Sequence, residues 1–371
     1  MKSSVLRTDE KITFKLRELY KDWGYIQYRV GKFEEYDLYM RNKNFLASEQ
    51  ILTFSDTNGK LMALKPDITL SIIKNTKDDG FTKKLFYSEN VYRVPRNAYG
   101  FKEILQTGLE CIGSVDRFST AEVLMLAAES LNTISDTYVL DISHVGIVSG
   151  VLEEEAVSSS AKEAILDAIS NKNAHACEKL CRIHGISENG RILLKTLITV
   201  NGDPDSVARQ IKNQAFPQES QNALTELLQL CNDLKSYGNY RINIDFSVVN
   251  DMDYYSGIVF KGFVAGVPTG VLSGGRYDNL MVKMGKQSGA IGFAVYLDQL
   301  ERFMTEDCDY DVDTLIVYDT DSCLDAVVHE AKKLRAEGRS VRIQQSQPEG
   351  IRSRITLFAG EEGMKEVCSH D

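Results

Sequence analysis

Tyrosines, aspartates and an arginine surround paired glycines between residues 251 and 278, and these residue types can bind a small charged molecule. Tyr254 and Tyr255 precede one apolar run, and the segment SGGRYD at 273–278 follows the next. Adjacent glycines let a ligand approach the backbone closely, because they carry no Cβ. Carboxylates, phenols and Arg276 beside such a gap would form a polar pocket with aromatic walls. The alternative is that the tyrosines only pack a β-core beside a glycine-rich turn.

Two further groups of polar residues lie at positions that commonly face a site. Asp67 and Thr69 follow a predicted strand and a proline, in the first turn of a predicted helix. On a later predicted strand, Gln106, Gly108 and Glu110 share one face. The first pair could simply cap the helix, and the second face is either solvated or the floor of a binding site.

Period-two alternation predicts the sheet that would position these side chains. It marks residues 242–248, and strand-like runs at 84–93 and 101–111 flank a loop. From about 150 to 238 the pattern is helical only and shows no chemistry. After about residue 308, strands and a helix predict a small separate unit.

These patterns predict an α+β protein built from three parts. The core, a sheet with helices, would comprise residues 1–149 and 239–307. An inserted helical domain would span residues 150–238, and a small C-terminal α/β domain residues 308–371.

Composition is typical of a soluble globular protein and favours neither membrane nor nucleic-acid partners. The 371 residues are 43% apolar and 26% charged, with a net charge of −10 that gives no general attraction to phosphates. No apolar run is long enough to span a membrane, and the N-terminus lacks a signal-peptide core. Seven scattered cysteines predict reduced thiols and a cytoplasmic location. Cys177, Cys181 and His184 have helical spacing, which predicts packing rather than a metal site.

Five ordered motifs resemble the catalytic core of class II aminoacyl-tRNA synthetases, specifically histidyl-tRNA synthetase. They are LKPDIT at 64–69, YR at 92–93, QTGLE at 106–110, MDYYSG at 252–257 and GGRYD at 274–278. The resemblance covers residues 1–305 and a shortened C-terminal domain. It implies a class II synthetase-like fold with an antiparallel sheet.

The departures from this resemblance imply that the chain does not activate an amino acid. Activation requires fixed positive charge around a triphosphate. Gln299 replaces the arginine of motif 3, and Asn250 replaces the arginine that holds the reacting carboxylate. Arg93 of motif 2 remains, but Pro95 occupies the position of the following glutamate, and Gly31 aligns with the motif 1 proline.

The same resemblance implies that a histidine pocket is retained. Three residues would face the α-ammonium group of the ligand: Asp67, Thr69 and Gln106. Glu110 would read the imidazole together with Tyr254 or Tyr255. Tyr277 would close the pocket. A carboxylate suits an ammonium group, and a second acceptor fixes an imidazole, so the chemistry agrees with these roles.

A histidine sensor on a synthetase core without activation residues is similar to the regulatory subunits of ATP phosphoribosyltransferase. This resemblance implies a short-form catalytic subunit as partner, which the chain would activate in the first step of histidine biosynthesis. L-Histidine would be the effector of feedback inhibition. No catalysis, cofactor, metal, tRNA or membrane is implied.

Two other functions and one assembly state also follow from the sequence. The chain could be a working histidyl-tRNA synthetase with altered motifs, or a stand-alone histidine sensor acting on another target. The apolar stretch at 25–37, in the motif 1 region, predicts a homodimer at least.

Overall fold

The computed structural model of the chain separates into two compact units, Met1–Met304 and Thr305–Asp371. It describes residues 6–43, 46, 50–94, 100–249, 254–303, 310–319, 322, 324–346, 350–360 and 363–369. The helices of residues 150–238 belong to the first unit, so their separation as an inserted domain stays a prediction.

A nine-stranded sheet organises the first unit, and most neighbouring strands in it run antiparallel. In spatial order the strands are β1 (Ile26–Gln27), β5 (Lys83–Arg93), β6 (Lys102–Gly113), β12 (Gly289–Tyr296), β11 (Leu272–Arg276), β10 (Ile258–Val264), β7 (Tyr138–His144), β9 (Ile242–Asp245) and β8 (Asn201–Gly202). The pairs β1–β5 and β7–β9 are parallel. A smaller sheet has the order β2 (Phe33–Glu35), β4 (Leu61–Leu64), β3 (Thr53–Ser55). The predicted α+β class with an antiparallel sheet is confirmed.

Helices cover the large sheet and form most of the segment between β7 and β9. The helices of the first unit are α1 (Thr8–Asp22), α2 (Tyr36–Arg41), α3 (Thr69–Asn75), α4 (Arg117–Ile134), α5 (Val145–Glu154), α6 (Ser159–Ser170), α7 (Ala174–Ile183), α8 (Glu188–Thr199), α9 (Pro204–Ile211), α10 (Gln218–Tyr237), α11 (Asp278–Lys283) and α12 (Leu297–Phe303). Helix α4 carries apolar residues on several faces, because it packs against α1, α10 and the sheet. Its residues Leu124, Leu126 and Leu131 are fully buried in the main core.

The expectation that residues 150–238 contain only helices is wrong at one point. The two-residue strand β8 pairs antiparallel with β9 and forms one edge of the large sheet. The turn after α6 is also joined to β9, because Lys172 Nζ donates a 2.6 Å hydrogen bond to Asp245 Oδ2. The helical segment is therefore attached to the sheet by backbone pairing and by an ion pair.

In its described residues, the second unit is a four-stranded sheet with one helix packed on it. Its sheet has the order β14 (Val341–Gln344), β13 (Val312–Tyr318), β15 (Ser353–Gly360), β16 (Gly363–Ser369). The first three strands are parallel, and β16 is antiparallel to β15. Helix α13 (Leu324–Ala336) buries Val327, Ala331 and Leu334 against Ile316 and Ala359.

The described residues contain neither a membrane-spanning helix nor a cluster of metal ligands. None of their helices is both long enough and apolar enough to cross a membrane. The described part of the chain also contains no cluster of three or more histidine, cysteine, aspartate or glutamate side chains suited to a metal ion.

Candidate functional site

A cavity of about 140 Å³ lies over the middle of the large sheet, beside the start of α3. Strands β6, β11 and β12 form its floor, and the end of β5 lies at its edge. All the predicted histidine-binding residues line it: Asp67, Thr69, Gln106, Glu110, Tyr254, Tyr255 and Tyr277. Residues from distant parts of the chain therefore meet at one site, although their roles toward a ligand stay predictions.

Asp67 occupies the entrance to helix α3. Its Oδ1 accepts a 2.8 Å hydrogen bond from the backbone N–H of Leu70, as expected for a carboxylate beside the free N–H groups of a helix start. Burial raises the pKa of Asp67, while the backbone hydrogen bond from Leu70 and the charge of Arg93 oppose that shift. Asp67 thus presents a carboxyl group to the cavity, and a cationic group of a ligand beside it would favour the ionised form.

Glu110 lies at the bottom of the cavity and is 2% exposed. Thr69 Oγ1 donates a 2.8 Å hydrogen bond to Oε1, and the Tyr277 hydroxyl donates a 2.5 Å hydrogen bond to Oε2. Burial raises the pKa of Glu110 to about 8, although these two hydrogen bonds lower it. At neutral pH the cavity therefore presents a carboxyl group that is mostly protonated.

Gly292 of β12 provides the space that Glu110 occupies. The two residues are direct partners in the register of β12 and β6. A Cβ atom at position 292 would lie 1.8 Å from Glu110 Oε2. A single glycine in an apolar strand has no distinctive pattern, so the sequence does not indicate this role for Gly292. Its role appears only when the strand pairing is known.

Three tyrosines form the aromatic wall of the cavity. The ring centroids of Tyr254 and Tyr255 are 4.7 Å apart at an interplanar angle of 70°, and those of Tyr254 and Tyr277 are 5.7 Å apart. Tyr254 also hydrogen-bonds with Thr69. Burial raises the pKa of Tyr254 and Tyr277 well above the ordinary range, so both hydroxyls remain protonated. Both hydroxyls are therefore neutral hydrogen-bonding groups, and that of Tyr277 bonds to Glu110 while that of Tyr254 bonds to Thr69.

The arginine predicted from the SGGRYD segment does not line this cavity. Arg276 Nε donates a 2.8 Å hydrogen bond to Asp278 Oδ2, which holds both side chains together away from the lining. Asp278 also accepts a 3.0 Å bond from the backbone N–H of Ala290. The two residues connect β11, α11 and β12, and the expectation that Arg276 forms part of the pocket is wrong.

A second cavity of about 700 Å³ adjoins the first. Both are lined by Arg93, Tyr255, Ser273, Gly274 and Tyr296. Among the described residues, its other charged lining groups are two lysines and three aspartates: Lys172, Lys261, Asp141, Asp245 and Asp298. The basic and acidic groups are thus equal in number, so this lining has no surplus of positive charge for a triphosphate.

The described structure includes some, but not all, of the residues that depart from the synthetase pattern. Gln299 lines the second cavity, where it accepts a 3.2 Å hydrogen bond from Thr269 Oγ1. Gly31 lies between β1 and β2. Pro95, Asn250 and the predicted Asp253 lie outside the described residues.

Comparison with known proteins first defines the class of this protein. A family model for histidyl-tRNA synthetase matches residues 3–300. The structure of an ATP phosphoribosyltransferase regulatory subunit/histidyl-tRNA synthetase from Bacillus halodurans C has a TM-score of 0.73 at 24% identity, covering 95% of this chain and 94% of that one. The structure of histidyl-tRNA synthetase from Nostoc sp. PCC 7120 has a TM-score of 0.69 at 15% identity, covering 97% of this chain and 93% of that one. The fold is that of the histidyl-tRNA synthetase class.

Curated relatives then distinguish a particular family within that class. The ATP phosphoribosyltransferase regulatory subunit of Alkaliphilus metalliredigens (strain QYMF) is 30% identical, over 76% of this chain and 74% of the relative. The ATP phosphoribosyltransferase regulatory subunit of Clostridium novyi (strain NT) is 31% identical, over 77% of this chain and 70% of the relative. The chain belongs to the family of ATP phosphoribosyltransferase regulatory subunits, a family of histidine biosynthesis. The resemblance inferred from the motifs is confirmed.

Proposed function

We propose that this chain is a non-catalytic subunit that binds L-histidine, activates a short-form ATP phosphoribosyltransferase catalytic subunit and transmits feedback inhibition to it. The observation that carries the proposal is the buried Glu110, held by Thr69 and Tyr277 at the bottom of an aromatic cavity with Asp67 at its edge. An imidazole can bond to Glu110 while the α-ammonium group meets Asp67. The cavity therefore supplies complementary groups for both basic parts of histidine.

The catalytic partner is supported by a structural relative. A solved complex from Thermotoga maritima is described as an ATP phosphoribosyl transferase (HisG:HisZ) complex, and it has a TM-score of 0.61 at 20% identity, covering 78% of this chain and 97% of that one. We infer that the present chain forms a corresponding complex with a short catalytic subunit. Copurification of the two chains, followed by an activity assay with and without this subunit, tests the partner and the activation.

The absence of aminoacylation is the second part of the proposal. The second cavity has balanced charges, and Gln299 is neutral where a synthetase has its motif 3 arginine. Losing one preorganised group at developing charge typically costs about 2.7–4 kcal/mol. We expect no histidine-dependent ATP–pyrophosphate exchange and no charging of tRNA by the pure chain. Appreciable exchange would instead identify a working histidyl-tRNA synthetase.

A homodimer is the smallest assembly that we propose. Ile26 is 70% exposed on the edge strand β1, and Phe33 is 54% exposed on the smaller sheet. Both lie in the stretch at 25–37 that sequence analysis predicted to pair. Light scattering at micromolar concentration is expected to give twice the monomer mass. A strict monomer would contradict this assembly.

Histidine binding by a chain that has no catalytic partner would instead favour a stand-alone sensor.

A further inference from the structure

The part of the second cavity that β7, β9 and β10 form contains two opposite charges that do not bond to each other. Lys261 of β10 and Asp141 of β7 are direct partners in the antiparallel register of these strands, and both line the cavity. Side chains at such positions have Cβ atoms about 4.5–5.5 Å apart, so an ion pair would be within reach. In the described structure, however, the charge of Lys261 acts on Asp141 only through space.

The ammonium group of Lys261 is kept apart by its surroundings. Its Nζ atom lies 5.5 Å from the ring centroid of Phe263, and its stem passes over Gly270, where a Cβ atom would be 2.4 Å from the lysine Cε. Apart from the ring contact, no hydrogen bond or ion pair joins this ammonium group to a described residue. An ammonium group has three donors, so Lys261 can bond to an anionic group of a ligand.

Asp141 provides the complementary acceptor beside Lys261. Burial and the charge of Asp245 raise its pKa from 3.8 to about 6, while Lys172, a hydrogen bond from Asn243 and Lys261 oppose this shift. A raised carboxyl pKa means that the surroundings stabilise the ionised form less well than water does. A cationic group of a ligand next to Asp141 would supply the missing stabilisation.

The other two charges in this part of the cavity already neutralise each other. Lys172 Nζ donates a 2.6 Å hydrogen bond to Asp245 Oδ2. Asp245 Oδ1 accepts bonds of 2.9 Å and 2.7 Å from the backbone N–H and the hydroxyl of Ser247. Among the described residues of this region, one base and one acid therefore remain. A ligand with a single charge would satisfy only one of them, whereas a dipolar molecule satisfies both.

We propose that this part of the second cavity binds a free amino acid, whose carboxylate bonds to Lys261 and whose α-ammonium group bonds to Asp141. Neither residue lines the first cavity, so the inference does not depend on the proposed histidine site. The cavity volume of about 700 Å³ leaves room for a side chain of any size. The two charged contacts would therefore orient the backbone of the ligand without selecting its side chain.

The test begins with the standard L-amino acids as probes. Saturation-transfer NMR detects those that bind to the wild-type chain, and titration calorimetry gives each Kd. At least one should bind about ten- to a hundred-fold more weakly to Lys261→Gln and to Asp141→Asn, because each variant loses one charge-assisted contact. Lys179→Gln, at an exposed position of α7, is the matched control and should bind as wild type does. Circular dichroism verifies that each variant is folded.

A ligand without its carboxylate shows which group Lys261 contacts. The α-amide of the amino acid that binds should bind wild type more weakly by the same factor. It should lose less than about two-fold more in Lys261→Gln, because the contact is already absent. The pH adds an independent readout for Asp141. Affinity should fall as the pH drops below about 6, where binding must displace the proton of Asp141, and Asp141→Asn should lack this decline.

The Glu110→Gln variant separates this site from the proposed histidine site. Binding to the second cavity should persist in it, since Glu110 lines only the first cavity. If every amino acid that binds requires Glu110, the second site does not exist. If Lys261→Gln binds as wild type does, the carboxylate is bound elsewhere. If Lys261→Gln weakens the acid and its amide equally, Lys261 only shapes the cavity. Each of these three results would overturn the inference and leave the histidine site untouched.

Discussion

At the scale of single residues, Glu110 determines the protonation chemistry of the cavity. Both of its oxygens accept hydrogen bonds from side-chain hydroxyls, and burial raises its pKa to about 8. A free imidazole has an ordinary pKa of about 6.5. At a pH between these two values, the unbound Glu110 is protonated and the free imidazole is neutral, so the two partners together hold one proton. An imidazolium–carboxylate pair contains the same single proton.

The affinity for L-histidine should therefore be greatest between about pH 6.5 and about pH 8. Below this range both partners are protonated, so binding must release a proton and weakens as the pH falls. Above it both are deprotonated, so binding must take up a proton and weakens as the pH rises. Calorimetry from about pH 5.5 to about pH 9 measures this profile. The Glu110→Gln variant should bind L-histidine more weakly than wild type. Its affinity should also lack the additional decline above pH 8 that deprotonation of Glu110 causes in wild type. A wild-type profile without a decline on both sides would contradict this account.

The same carboxyl group should make the stability of the protein, measured without added histidine, depend on pH. Folding raises the pKa of Glu110 from its ordinary 4.5 to about 8, so the folded chain holds a proton that the unfolded chain releases within this range. Stability consequently falls as the pH rises from about 4.5 to about 8. Glu110→Gln removes this loss of stability, because glutamine does not titrate. The Tm of the variant minus the Tm of wild type should therefore increase with pH. Glu163→Gln, at an exposed position of α6, is the matched control. A Tm difference that is constant with pH would contradict the prediction.

At the scale of elements, the pairing of β6 with β12 gives Glu110 its position. Gly292→Ala places a methyl group where the carboxylate now lies, because the added Cβ would be 1.8 Å from Oε2. We expect Glu110 to be displaced and histidine affinity to fall by at least about ten-fold, the cost of one charged hydrogen bond. Gly31→Ala is the control, since its added Cβ would be 3.5 Å from the nearest atom, the Phe33 carbonyl oxygen. Equal affinities of the two variants and wild type would exclude this role for Gly292.

The sequence predicted elements with strong local patterns and missed features that depend on distant pairing. The alternation around Gln106 and Glu110 correctly placed both side chains on one face, because strand periodicity is a local property. The strand β8 has two residues and no pattern of its own, so it was missed. The role of Gly292 depends on a register between strands far apart in sequence. Arg276 was misplaced because its motif does not reveal that Asp278 holds it.

At the scale of the whole molecule, the proposed function separates a ligand pocket from the machinery of amino-acid activation. Among the described residues, three acids and three bases line the larger cavity, whereas two acids and one base line the smaller cavity. Regulation requires that histidine bind two global states of a complex with unequal affinity. We therefore propose that histidine binding and activation of the partner are separable functions of this chain.

The most direct measurement compares wild type, Glu110→Ala and Asp67→Ala in the complex with the short catalytic subunit. Each removed contact is worth about 1.5–3 kcal/mol, so the histidine concentration for half-inhibition should rise about ten- to a hundred-fold. Complex formation and activation without histidine should remain at the wild-type level. Unchanged inhibition in both variants would place the feedback site elsewhere. Loss of complex formation together with inhibition would show that these residues support assembly, and either result would contradict the account.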